Sequence, residues 1–60
     1  MTGAKLAALP VGSIVLLDGE MGEVVQAGAV THLMFKDCTS IIRTESKVWE
    51  EFIEQLEEEK

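Results

Sequence analysis

Between Val11 and Phe35 the chain reads V-G-S-I-V-L-L-D-G-E-M-G-E-V-V-Q-A-G-A-V-T-H-L-M-F, a string of strand-length apolar runs cut by glycine-bearing turns. That pattern leaves few options. Short runs rich in branched apolar residues and bounded by Gly and Asp read as strands, and turns this tight join neighbours into an antiparallel meander. The spacing predicts a first strand over 13–17, a second over 23–27 and a third over 29–36. A turn-like stretch over 37–40 leads into a fourth strand over 39–43, around Ile41 and Ile42. Asp18-Gly19 is a turn pair. A two-residue hairpin there and a longer loop over 18–21 both fit the spacing. Gly22 marks a second point where backbone passes close or adopts positive φ, and Gly28 a tight turn into the third strand.

Two of these strands are apolar on both faces. Side chains alternate with period 2, so Thr31, Leu33 and Phe35 point one way and Val30, His32 and Met34 the other. The first strand divides likewise into Ile14/Leu16 and Val15/Leu17. A sheet with one wet face alternates apolar and polar residues. Both faces here therefore need cover, one from the barrel's own interior and the other from a helix or a partner.

The candidate cover follows the fourth strand. Val48, Trp49, Phe52, Ile53 and Leu56 recur at helical period, with Glu50, Glu51, Glu54, Glu57 and Glu58 off that stripe. A helix over 44–58 is predicted, with Thr44 or Ser46 as N-cap and Glu45 at the positive end of the macrodipole. Glu57, Glu58 and Glu59 lie at its negative end, so the last three or four residues are expected to fray. At the other end of the chain, residues 1–9 read as a loose arm whose Leu6 and Leu9 tuck against the body. Pro10 holds Leu9 extended and stops any helix there.

Sixty residues make one small domain at most. The expected organisation is a single unit over 1–60, with a meander or barrel over 11–43 and the helix over 44–58. A chain this short buries a modest share of its surface, and small folds compensate with disulfides, metals or self-association. Cys38 is the only cysteine, which rules out an internal disulfide, and with His32 as the only histidine a four-ligand His/Cys metal site is ruled out as well. The lone thiol fits a reducing compartment, and the cytoplasm is the expected location. No apolar run is long enough to span a bilayer, and the N-terminal stretch lacks a secretory-signal pattern.

Net charge is −6, unevenly spread. Residues 45–60 hold seven acids against Lys47 and Lys60, giving −5. Residues 1–44 hold Asp18, Glu20, Glu23 and Asp37 against Lys5, Lys36 and Arg43, giving −1. Phosphate backbones are held by clustered Lys and Arg, which this sequence lacks.

The stretch G-S-I-V-L-L-D-G-E-M-G-E-V-V (residues 12–25) resembles the opening of KOW-type and other SH3-like small barrels, with Gly22-Glu23-Val24 matching the Gly-x-Val that starts the next strand. Phe35-Lys36-Asp37, followed by a turn and Ile41-Ile42, resembles the strand–turn–strand that closes such barrels. The resemblance spans roughly residues 11–43. Cys38 stands where a glycine is usual, and the basic residues by which KOW modules hold RNA are missing. Asp18-Gly19-Glu20-Met21-Gly22 also resembles the D-G-x-x-x-G junction of Sm-like barrels, in which the helix comes first rather than last. The resemblance implies the fold and not the RNA binding. The expected fold is mainly β with one helix (α+β): a small SH3-like barrel or bent sheet of four to five antiparallel strands, then the C-terminal amphipathic helix.

No catalytic constellation accompanies these elements. His32 could serve as a general base, but no nucleophile with an orienting acid is near it in the pattern, and a strand histidine among Val30 and Met34 reads as structural. Cys38 sits beside Asp37, whose carboxylate disfavours a thiolate, so a plain thiol is expected. Asp18, Glu20 and Glu23 lack the spacing of a calcium loop and read as solvated turn acids. Trp49 and Phe52 suit interface anchors, although their helical spacing with Ile53 and Leu56 reads first as core.

The expected function is therefore a non-enzymatic protein-interaction module without a cofactor: an adaptor, assembly part or inhibitor of a larger machine, of a kind common in phage and mobile-element genomes. The candidate interface comprises Val15, Leu17, Val30, His32 and Met34 as an apolar patch, with Glu50, Glu51 and Glu54 offered to a basic surface on another protein. A homodimer is expected. Nucleic-acid binding and membrane association are not. The alternatives are a nucleic-acid-associated KOW-like or Sm-like module and an acidic DNA mimic.

Overall fold

The computed structural model describes residues 1–59. The chain runs through a short helix α1 (Gly3–Ala8), a meander of β1 (Ile14–Leu17), β2 (Glu20–Gln26), β3 (Val30–Met34) and β4 (Thr39–Arg43), a 3₁₀ turn (Lys47–Trp49), helix α2 (Glu50–Gln55) and a last strand β5 (Leu56–Glu58). All neighbouring strands are antiparallel, in the order β4-β3-β2-β1-β5. The protein is thus mainly β, as expected. β4 and β5 are the two ends of the sheet, so it does not close into a barrel.

The hairpin between β1 and β2 fixes everything upstream of it. Leu17 pairs with Glu20, leaving Asp18 and Gly19 as a two-residue loop. Both have positive φ, 51° and 87°, as a type I′ turn requires and as an Asp-Gly pair readily supplies. The register then sets Val15 opposite Gly22 and Leu16 opposite Met21. Val15 consequently points into the core, fully buried, and Leu17 packs against the same cluster. This corrects the expectation that Val15 and Leu17 belong to an exposed patch. The outward residues of β1 are Ile14 and Leu16. Sequence alone could not decide the matter, because four consecutive aliphatic residues carry no alternation.

Gly22 lies on the core side of β2, and the β2–β3 register places it across from Phe35. A Cβ at position 22 would come within 2.6 Å of the Phe35 ring, so the ring occupies the space that a side chain would take. Further along, the β2–β3 register shifts between Val24 and Gln26. That bulge at Val25 adds bend and twist to the sheet. The concave side so formed holds Leu6, Leu9, Val15, Val24, Leu33, Phe35, Ile42, Ile53 and Leu56, with Trp49 and Phe52 at its margin. The two rings meet edge to face at 5.4 Å.

The helices cover this concave side, not the outer one. The N-terminal arm is helical because Thr2 caps it, its hydroxyl accepting from the Lys5 N–H at 3.2 Å. Leu6 and Leu9 tuck into the core as expected, and Leu9, ahead of Pro10, is extended. The C-terminal helix is shorter than the predicted 44–58. Ser46 caps the 3₁₀ turn through Val48 N–H, whereas Thr44 is buried and donates to the Gly28 and Ala29 carbonyls. Helix α2 stops at Gln55. The Met1 amino group donates to two carbonyls of the helix's last turn, Ile53 and Glu54, and to that of Leu56 just beyond it, at 3.3, 3.4 and 2.9 Å. Leu56 turns extended and stays in the core as the first residue of β5. Ending the helix there removes Glu57 and Glu58 from the negative end of a helix dipole. They pair instead with Leu16 and Val15. Glu57 and Glu58, expected to fray, are strand residues, and Lys60, the last residue of that expectation, lies outside the described residues.

Two outcomes follow. Gly22→Ala should cost about 1–3 kcal/mol in denaturant melts, the range for overpacking a core, because the Phe35 ring must move. Deleting residues 57–60 removes most of β5 and should lower stability by at least about 1 kcal/mol, where a frayed tail would cost nothing measurable.

Candidate protein-interaction face

With both helices on the concave side, the other face of the sheet is bare. Directly opposed residues share a face, so the registers assign its rows. Arg43 lies beside Val30, and Ile41 beside His32, which in turn faces Gln26. Thr39, Met34, Glu23 and Ile14 form the next row, and Met21, Leu16 and Glu57 the last. Met21 is 62% exposed, Ile41 56%, Met34 51% and Val30 37%, with Ile14, Leu16 and His32 half-buried between them. The result is an apolar surface edged by Arg43, Gln26 and Glu57, with Glu23 set into its middle.

The expected residues divide three ways. Val30, His32 and Met34 come together on this face, where the alternation of β3 puts them. Val15 is buried in the core and half-buried Leu17 packs against it on the same side, as described. Glu50, Glu51 and Glu54 are exposed on α2, the element whose Ile53 anchors it to the core side, so they form a separate acidic surface. Ile14, Leu16, Met21 and Ile41 are the members that the sequence reading missed. The Asp18-Gly19 hairpin could have found the first three, since its two-residue form dictates which of them face outward.

The chemistry available on this face is limited. His32 is flanked across the sheet by Ile41 and Gln26, neither a nucleophile nor an acid that could orient it. Cys38 is free and exposed in the turn between β3 and β4, where its carbonyl accepts from Phe35 N–H at 2.8 Å. Among the described residues no three His, Cys, Asp or Glu side chains converge on a point that could hold a metal ion. None of the helices is long and apolar enough to cross a membrane. Comparison with protein-family models, with curated proteins and with solved structures finds no match for this chain.

The described cations are also scattered. Lys5 lies 3.6 Å from Glu58 on the α1 side, Lys36 is in the β3–β4 turn, Arg43 ends β4 and Lys47 opens the 3₁₀ turn. Such an arrangement neutralises few phosphates at once. Titration with a labelled duplex and with a single strand at physiological salt should give no measurable binding, and saturable, salt-sensitive binding would contradict this account.

Proposed function

We propose that the protein is a non-enzymatic protein-interaction module, an adaptor, assembly part or inhibitor of a larger machine, and that it docks its partner on the outer face of the sheet. The observation that carries this reading is the face itself: Val30, Met34, Ile41 and Met21 stand exposed together on one regular surface, while both helices pack elsewhere. Contiguous apolar surface rimmed by polar groups is costly to leave in water and marks interaction sites on soluble proteins. A face built of regular strands offers a partner few convergent polar groups, which suits docking rather than catalysis.

The finer fold reading belongs with this proposal. A four-strand meander whose fifth strand returns to β1 after a 3₁₀ turn and the short helix α2 resembles the connectivity of SH3-like small barrels, here left open between β4 and β5. The acidic surface supports a second reading. Glu50, Glu51 and Glu54 on α2 are all exposed and could meet a basic groove, in the manner of a DNA mimic.

Met34→Lys separates the two readings. Lysine at this position lies directly across from Glu23, so the sheet gains a cross-strand pair and keeps its fold. The same lysine sets a charge in the middle of the apolar surface. Affinity capture from the native host should fall more than about tenfold with Met34→Lys, because the lysine and its Glu23 partner would both have to leave water for an apolar interface, and should hardly change with Glu50→Gln/Glu51→Gln/Glu54→Gln. The reverse result would favour the acidic reading.

A further inference from the structure

The two free edges of the sheet are built differently. β5 is three residues long and carries Glu57 and Glu58, the kind of short, charged edge that discourages strand addition. β4 is five residues long, Thr39–Arg43, pairs with β3 without a bulge, contains no proline, and has Arg43 as its single charged residue. Nothing in its sequence guards it.

The ladder also reveals which main-chain groups this edge offers. Phe35 N–H donates to the Cys38 carbonyl at 2.8 Å, and Thr44 N–H donates to the Ala29 carbonyl at 3.0 Å. In an antiparallel pair, hydrogen-bonded and non-bonded positions alternate. Between those two ends, Ser40 and Ile42 therefore bond to β3, while Thr39, Ile41 and Arg43 turn their N–H and C=O groups away from the sheet. The Arg43 carbonyl receives Ser46 N–H at 3.1 Å, which leaves it a second lone pair.

We propose that this edge is occupied by a second copy of the chain, β4 against β4 in antiparallel register about a two-fold axis at Ile41. Ile41 of each copy then donates to and accepts from its mate, and Thr39 and Arg43 form the flanking pairs. Three observations favour a second copy. A two-fold strand pair requires positions two before and two after its centre to present the same groups, and Thr39 and Arg43 do. Charge permits contact here more than elsewhere: residues 29–44 sum to +1 (Lys36 and Arg43 against Asp37), whereas 1–28 sum to −2 (Lys5 against Asp18, Glu20 and Glu23) and 45–60 to −5. Two chains of net charge −6 therefore repel least across β4. The side chains of Thr39, Ile41 and Arg43 also lie on the outer face, so pairing sets Ile41 beside its mate and joins two apolar faces into one. The proposal rests on main-chain groups and is independent of what docks on that face.

Sedimentation over a wide concentration range tests it. The full chain should show the mass of two chains. Ile41→Pro should reduce this to one chain while preserving the far-ultraviolet circular dichroism, because the lost N–H points outward and takes no bond from the β3–β4 ladder. Ile41→Thr keeps the N–H and the strand preference and should keep the dimer. A wild-type chain with the mass of one chain throughout would overturn the proposal and leave the edge to an extended segment of another protein. A two-chain mass that Ile41→Pro does not change would overturn it equally. Should Ile41→Pro fail to fold, cross-linking decides: Cys38→Ser/Ile41→Cys should be joined by a short bis-maleimide far faster than Cys38→Ser/Val48→Cys, whose site is 87% exposed on the 3₁₀ turn. Equal rates would reject the β4 pairing. Loss of partner capture in Met34→Lys with an unchanged two-chain mass would separate docking on the face from pairing at the edge.

Discussion

The contact between Phe35 and the bare backbone of Gly22 governs the shape of the molecule. Were position 22 to carry a side chain, the ring at the end of β3 would be pushed off β2, and with it the strand junction that leads to β4. Because the Phe35 ring takes the space that a Cβ at position 22 would need, it packs close against the β2 backbone on the core side of the sheet. Two helices of six residues each cover that side. Neither helix is long enough to be stable alone in water. Each is held by apolar anchors, Leu6 in α1 and Ile53 in α2, and by caps: Thr2 at one start, Ser46 ahead of the other, and the Met1 amino group on the carbonyls of the last turn of α2.

Placing both helices on one side decides what is left for recognition. A meander with apolar residues on two faces has surplus surface for a chain of this size, and the fold assigns all its cover to the concave side. Buried polar groups there are satisfied locally. Thr31 donates to the Gly28 carbonyl at 3.0 Å, and Thr44 shares that acceptor, tying the β2–β3 loop to the end of β4. On the convex side the apolar residues are held in register by the sheet, so docking there, as proposed, would need little ordering of the surface.

Much of this was legible in the sequence, for identifiable reasons. β4 begins and ends where the reading put it, because a turn precedes Thr39 and Ile41-Ile42 sits within a run of strand formers. The two faces of β3 were read correctly from strict alternation, and so Val30, His32 and Met34 were found. The faces of β1 were not, since Ile14-Val15-Leu16-Leu17 is aliphatic throughout and only the hairpin register distinguishes them. β5 was hidden for a different reason. Leu56-Glu57-Glu58 has the composition of a helix and becomes a strand because β1 offers it an edge, a tertiary preference that overrides local propensity. The helical stripe was correct at Ile53 and Leu56 for burial. It failed at Val48, which points to solvent.

The pairing of β5 with β1 also has a bearing on the order of events as the chain folds. The meander joins strands that are close in sequence, but Leu17 meets Leu56 thirty-nine residues away (56 − 17), across everything in between. Contacts of such separation form slowly, since the loop must close before they return any energy. On a ribosome, Leu56 leaves last among the core residues. Until it does, the β1 edge stays vacant beside β2 and the core side lacks the cover that Leu56 brings. A nascent chain is therefore most open to capture by other strands just before its own final strand emerges.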